Sequence, residues 1–217
     1  MINLIRKEFK LSAHILSYLF ISFGLMTFIP GYPILVGVFF SCLGIFQSFQ
    51  SYRESNDIAY SILLPVTKKD IVKAKFIFVC TIELLTFLLM LMITIIRMTL
   101  LKDVDAYVNN PLLTANLVFL GYALIIFGLF NILFVRGYFK TGYYFGRPFI
   151  SFCIVGFIVI GLAEALRYFP RLEVLNSFGF ENIEVQLLGL FVGIALYSLF
   201  TYIGFKCSVK SFEEIDL

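Results

Sequence analysis

Tryptophan is absent from this 217-residue chain, and histidine occurs once, as His14. A single histidine excludes H-E-x-x-H metal chemistry and any two-histidine site. The missing tryptophan leaves Tyr and Phe to anchor the chain at an apolar–polar boundary. Charge is scarce too: Asp, Glu, Lys and Arg make up 14% of residues against 60% hydrophobic ones, and mean hydropathy is +0.96. A soluble chain of this size could not cover repeated runs of about twenty apolar residues. No G-x-x-x-x-G-K-[ST] phosphate loop and no G-x-S-x-G elbow occurs, so the chain is expected to hydrolyse no ATP by itself. Cys42, Cys80, Cys153 and Cys207 lack metal-like spacing, and the first three lie in apolar runs, where cysteine is a small buried hydrophobe. Neither a metal site, a disulfide framework nor a nucleic-acid partner is expected.

What is present is a set of long apolar segments: about 13–29, 33–50, 76–100, 113–135, 148–166 and 185–206. Each approaches the length a helix needs to cross about 30 Å of hydrocarbon. Backbone groups in lipid must be satisfied within the segment, and the alternation of a β-barrel is missing, so the expected fold class is an all-α integral membrane protein with six transmembrane helices. Residues 13–217 then form one transmembrane domain. No A-x-A-like site follows the first apolar run, which is expected to be a retained span rather than a cleaved signal.

With six spans both ends share one side. That side holds Arg6, Lys7, Lys10, Arg53, Lys68, Lys69, Lys73, Lys75, Arg136, Lys140, Arg147, Lys206 and Lys210; the other holds Arg97, Lys102, Arg167 and Arg171. This bias makes both termini cytoplasmic in a multi-pass membrane protein. "PGYP", Pro30–Pro33, is a minimal outer turn that makes the first two spans antiparallel neighbours. The outer segment 167–182 carries several apolar residues and reads as a loop, an interfacial element or a segment dipping back into the protein.

Residues 1–12 read as an interfacial helix. Ile2, Ile5 and Phe9 share one stripe, and Arg6, Lys7 and Lys10 fall on a neighbouring polar face suited to anionic headgroups. His14 follows, in an interfacial, non-catalytic position. Between the second and third spans, about 52–75, a cytoplasmic elbow is expected. A short helix over about 54–63 has Ile58, Ile62 and Leu63 on one apolar side, and Pro65 ends it. Thr67 reads as the N-cap of the next helix, with Asp70 completing a capping box and Lys68 at its start. A half-apolar helix set among lysines is more than an orienting loop; its patch wants a partner.

Two acids stand out in the apolar runs. Glu83 lies about eight residues into the third span; it is either an intramembrane functional acid or a bundle-facing carboxyl that hydrogen-bonds helices together. Glu164 is three residues before Arg167 and suits an i,i+3 pair.

"LIRKEFKLS" at the N-terminus, Glu54 and Asp57 after the second span, and "LLPVTKKDIVKAKF" leading into the third resemble the six-span permeases of type-2 ATP-binding-cassette exporters in their compact bacterial form. Bacterial members often carry L-P-[VIL]-[ST]-[RK]-x-[ED]-I-V-x-[AGS]-[KR], which here reads Leu64 to Lys75. The resemblance implies a permease without ATPase activity, paired with a separately encoded ATPase subunit that carries the ATP and Mg, and with a second permease copy. It implies a coupling helix seated on the ATPase through Glu54, Asp57, Ile58, Ile62, Leu63, Pro65, Thr67, Lys68 and Asp70, an N-terminal helix along the membrane, and small outer helices between the last two spans. The implied function is outward movement of a hydrophobic or amphipathic cargo: a peptide, an antibiotic or a lipid. Two rival readings are an ion-coupled secondary transporter, for which Glu83 is the one candidate acid, and a non-transporting scaffold or sensor subunit.

Overall fold

The computed structural model describes residues 1–141, 144–166 and 168–215. Helix α1 spans Ile2–Ser12 and bends by 92° into α2, Ile15–Phe28. They are followed by α3 (Leu35–Glu54), the short α4 (Asp57–Ile62) and the long α5 (Lys68–Thr99). After the four-residue α6 (Asp105–Val108) come α7 (Leu117–Thr141), α8 (Gly146–Leu166) and α9 (Ile183–Glu213). Among the described residues there is no strand, as expected for the fold class.

Five of these helices, α3, α5, α7, α8 and α9, are long and apolar enough to cross a membrane, and the bent α1–α2 pair makes six when it is counted as one span. Helix α2 is short for the task. From Phe20 to Phe28 it is a 3-10 helix, and the steeper rise per residue extends α2 to about 25 Å. His14 starts α2: its Nδ1 accepts from Leu16 N, and its own N–H donates to Ser48 Oγ at 2.8 Å. Its interfacial place therefore serves as a cap. The turn after α2 depends on Gly31, whose φ of +71° suits a residue without a side chain.

Two packing systems hold the bundle. Phe46, Phe134, Phe149 and Phe152 join α3, α7 and α8, with the rings of Phe46 and Phe149 stacked at 3.9 Å. Against the other side of α7, α9 approaches backbone to backbone. A Cβ on Gly193 would stand 2.5 Å from the Cα of Gly121, and one on Gly204 would stand 3.0 Å from the Asn131 carbonyl oxygen. Gly189 and Gly193 form a G-x-x-x-G pair, the spacing that lets helices approach closely without a hydrophobic driving force. The outward faces of α5, α8 and α9 present Leu88, Phe157 and Phe191, all exposed, as a membrane-facing surface requires.

The helix termini sort into two faces. Helix α1, helix α4 and the C-terminal end of α9 lie at the start of α5, where most of the lysines and arginines are; this is the basic face. On the far face, segment 168–182 folds into a 3-10 turn, Glu173–Asn176, tied to the start of α7. Thr114 N donates to Asn176 Oδ1 at 2.8 Å, and Asn116 Nδ2 donates to the carbonyls of Leu175 and Ser177. Phe169 and Phe180 stay exposed on it. Glu164 Oε2 accepts from Leu113 N at 2.9 Å; the Arg167 expected to pair with it lies outside the described residues.

Candidate functional site

The site is built where α1, α4 and α5 meet. Helix α5 places Ile71, Val72, Lys75, Phe78 and Val79 on one buried stripe, the helical period that faces a core. Lys75 is on that stripe, fully buried, whereas Lys73 two residues earlier is exposed. In α1 the buried residues are Leu4 and, one turn on, Glu8. In α4 they are Asp57, Ile58 and Ser61. Three chain segments thus bring charges into one interior.

The charges close into a network. Lys75 Nζ lies 3.0 Å from Glu8 Oε2 and 2.8 Å from Asp57 Oδ2. Lys7 pairs with Asp57 Oδ1 and lies 3.2 Å from Glu8 Oε1. Lys7 also donates to Ser61 Oγ at 2.8 Å, and Ser12 Oγ donates to Asp57 Oδ1 at 2.9 Å. The Lys75 ammonium sits 3.3 Å from the centroid of the buried Tyr52 ring, at the end of α3. Two acids against two bases make the cluster neutral. Every carboxylate oxygen is met, which is the condition under which buried ions are tolerated. Burial alone would raise the Asp57 carboxyl; the charges of Lys75 and Lys7, and their hydrogen bonds, outweigh it and hold Asp57 below the usual carboxylate range.

Outward from this cluster the elbow ends in an apolar tip. Asn56, with φ of 51°, turns the chain out of α3 into α4. After α4, Leu63 is 82% exposed and Leu64 48%, with Tyr60 beside them at 68%. Pro65 is exposed in the turn. Thr67 then caps α5: its Oγ1 accepts from Asp70 N at 3.1 Å and donates to Asp70 Oδ2 at 2.8 Å. Pro65, Thr67 and Asp70 stand where sequence spacing put them.

Other residues differ from expectation. Ile58, expected on a docking face, is 2% exposed and belongs to the chain's own core, and Ile62 packs partly against it. The reason is the cluster: once Asp57 and Ser61 face α1 and α5, Ile58 must face inward too. Asp57 is likewise committed to Lys7 and Lys75. Of the residues expected at the interface, Glu54, Leu63, Pro65 and Thr67 are exposed. Lys68 does not stand free; its Nζ donates to the Ile215 carbonyl at 2.6 Å and so ties the start of α5 to the end of α9. In α1, Ile2 is 77% exposed whereas Ile5 and Phe9 pack against the core, Phe9 edge-on to Phe78. Arg6 and Lys10 keep exposed positions, but Lys7 turns inward.

Sequence reasoning missed Glu8, Ser12, Tyr52, Ser61 and the inward role of Lys75. A signal existed for two of them: Glu8 follows Leu4 by four residues, and Lys75 follows Ile71 by four, so each lies on its helix's apolar stripe.

Glu83 is buried within the bundle, where its Oε2 accepts from Asn131 Nδ2 at 3.0 Å and Tyr197 OH at 2.9 Å. It therefore joins α5, α7 and α9. Among the described residues no three His, Cys, Asp or Glu side chains gather as metal ligands would.

The described residues thus form an all-helical bundle whose exposed elbow is fixed at its root by a buried ionic cluster. The family model described as ABC-2 family transporter protein matches residues 3–213. The chain belongs to the ABC-2 transporter family. No curated protein and no solved structure matches it. An ABC-2 permease is a multi-pass transmembrane subunit, separate from the ATPase, and its family works with an ABC ATPase partner. In this ABC-2 chain the signature stretch Leu64–Lys75 acquires a physical reading: it begins in the exposed tip, passes the Thr67 cap and ends on the buried Lys75.

Proposed function

We propose that this chain is the permease subunit of an ABC exporter, carrying a hydrophobic or amphipathic cargo outward with ATP and Mg bound on the separate ATPase. The basic face is cytoplasmic, as its excess of Lys and Arg supports, and two permease copies act together. Helix α4 and its tip are the coupling element. The observation that carries this reading is the pairing of an exposed apolar tip with a rigid root: Tyr60, Leu63 and Leu64 stand free while Asp57, in the same short helix, is ion-paired to α5 and α1. A push on the tip is delivered to α5, which runs on to Thr99 as one 32-residue helix. The expected docking residues are accordingly Tyr60, Leu63, Leu64 and Glu54, with Ile58 and Asp57 as the root.

A photoreactive amino acid at Leu63 tests this. In membranes holding both subunits it should cross-link to the ATPase. The same probe at Ile29, exposed at the far end of α2, should not. Equal cross-linking from both positions, or none from Leu63, contradicts the assignment.

A further inference from the structure

Glu83 is not fully used by its neighbours. Its Oε2 takes both available donors, Asn131 Nδ2 and Tyr197 OH. Its Oε1 is buried and receives no hydrogen bond. No Lys or Arg side chain pairs with Glu83 among the described residues, whose ion pairs all lie in the α1–α4–α5 cluster. An acid so deep among apolar helices, with a bare oxygen and no counter-charge, is a costly arrangement that marks function.

The same acid lines a cavity of ≈ 280 Å³ between α5, α7 and α9, whose other walls include Phe87, Leu124, Phe127, Ile194 and Tyr197. Leu84 and Ile194 at its rim are exposed on the membrane-facing surface. Tyr197 and Ser198 also line a neighbouring groove of ≈ 430 Å³, which follows α5 and α9 past Cys80, Ile77 and Phe76 to Lys73 on the basic face. From Lys73 to Glu83 is about 15 Å along α5 at 1.5 Å per residue, the reach of a medium-length alkyl chain. A second observation marks the spot independently: α7 carries a π-helical stretch, Phe130–Val135, and Asn131, which holds Glu83, lies in it. Such stretches interrupt α-helices at functional sites more often than elsewhere.

We propose that this cavity binds the protonated primary-amine head of an amphipathic molecule. The ammonium would supply the N–H donors that Oε1 lacks and the charge that balances the carboxylate, and its face would lie among aromatic rings that attract cations. The alkyl part would occupy the groove. The inference rests on the permease reading only in calling the guest a cargo; the site itself stands on geometry.

The probe is tritiated dodecylamine, which is cationic at neutral pH. It is titrated onto the full-length chain in phosphatidylcholine nanodiscs, with empty nanodiscs subtracted. Wild type should bind it saturably. Dodecyltrimethylammonium, which keeps the charge without N–H donors, should compete more weakly, and uncharged dodecanol least of all. Glu83→Gln should weaken binding by roughly tenfold or more, the scale of a charge-assisted hydrogen bond. Dodecylamine bound as well by Glu83→Gln as by wild type overturns the proposal. So does dodecanol competing as strongly as the amine on wild type, which would make this an acyl-tail site only; that comparison decides even if the variant does not fold. Binding is read on the permease without its ATPase, so a failed amine site leaves ATPase docking untouched. A failed docking experiment leaves the binding result standing.

Discussion

Replacing Lys75 by Met keeps the length of the side chain and removes its charge. Glu8 and Asp57, both buried, would then share only Lys7, and the cluster would carry one uncompensated negative charge. Removing one partner of a buried ion pair costs about 3–5 kcal/mol. The weakest link in the joint is α1, which is held by Glu8, Lys7 and the packing of Leu4 and Phe9. We therefore expect α1 to undock first, leaving the packing of α2, α3, α5, α7, α8 and α9 intact. At about 1.4 kcal/mol per factor of ten, opening of α1 should become at least about a hundredfold more frequent. Amide hydrogen exchange over residues 8–13, followed by mass spectrometry in detergent, reads this directly. The double variant Lys75→Met with Glu8→Gln restores neutrality, with Lys7 facing Asp57, and should recover most of the protection. Lys73→Met, on the exposed side of α5, should change nothing. Unchanged exchange in Lys75→Met, or a double variant as unprotected as the single, would refute the view of the cluster as the joint's anchor.

Other expectations concern the rest of the molecule. Gly193→Ala puts a Cβ against the Gly121 backbone, where neither partner can give way, and should destabilise the bundle by about 1–3 kcal/mol in thermal unfolding; Gly161→Ala, with open space around it, should be neutral or slightly stabilising. Because Asp57 is held below the usual carboxylate range, its contribution is fully present above about pH 4 and is lost as pH falls through its lower folded value. Protection of α1 should accordingly be flat from neutral pH down to about pH 5 and collapse only in stronger acid, and Asp57→Asn should remove that acid limb. Reporter fusions at Lys140 and the C-terminus should read cytoplasmic and fusions at Asp105 and Glu173 external; a C-terminal fusion reading external contradicts six spans.

Much of the fold was legible because lipid restricts the choices: long apolar runs can only be helices, and the observed helices start and stop within a few residues of most of the runs. Thr67 and Asp70 were legible for a local reason, since a cap is decided by four consecutive residues. The face of α4 was not. Ile58 and Ile62 are equally good on a docking side or a core side, and the choice is made by Asp57 meeting Lys7 and Lys75, residues 50 and 18 positions away. The close crossing of α7 on α9 was also hidden; Gly189 and Gly193 carry the small-residue spacing, yet nothing local says that Gly121 is opposite. Glu83 could be placed at its depth from the run alone, but its partners Asn131 and Tyr197 sit on two other helices.

The central claim is that the exposed tip of the elbow docks the ATPase. Leu63→Asp tests it without disturbing the core, because Leu63 is 82% exposed. Burying such a side chain is worth roughly 1.5–3 kcal/mol, and a carboxylate in its place adds a desolvation cost. Affinity for the ATPase should therefore fall by well over about tenfold, with permease abundance in the membrane unchanged. The decisive measurement is recovery of the ATPase with tagged permease, together with vanadate-sensitive ATP hydrolysis of the purified complex in lipid. The account predicts both for wild type and neither for Leu63→Asp. Equal recovery and equal hydrolysis with Leu63→Asp would contradict it.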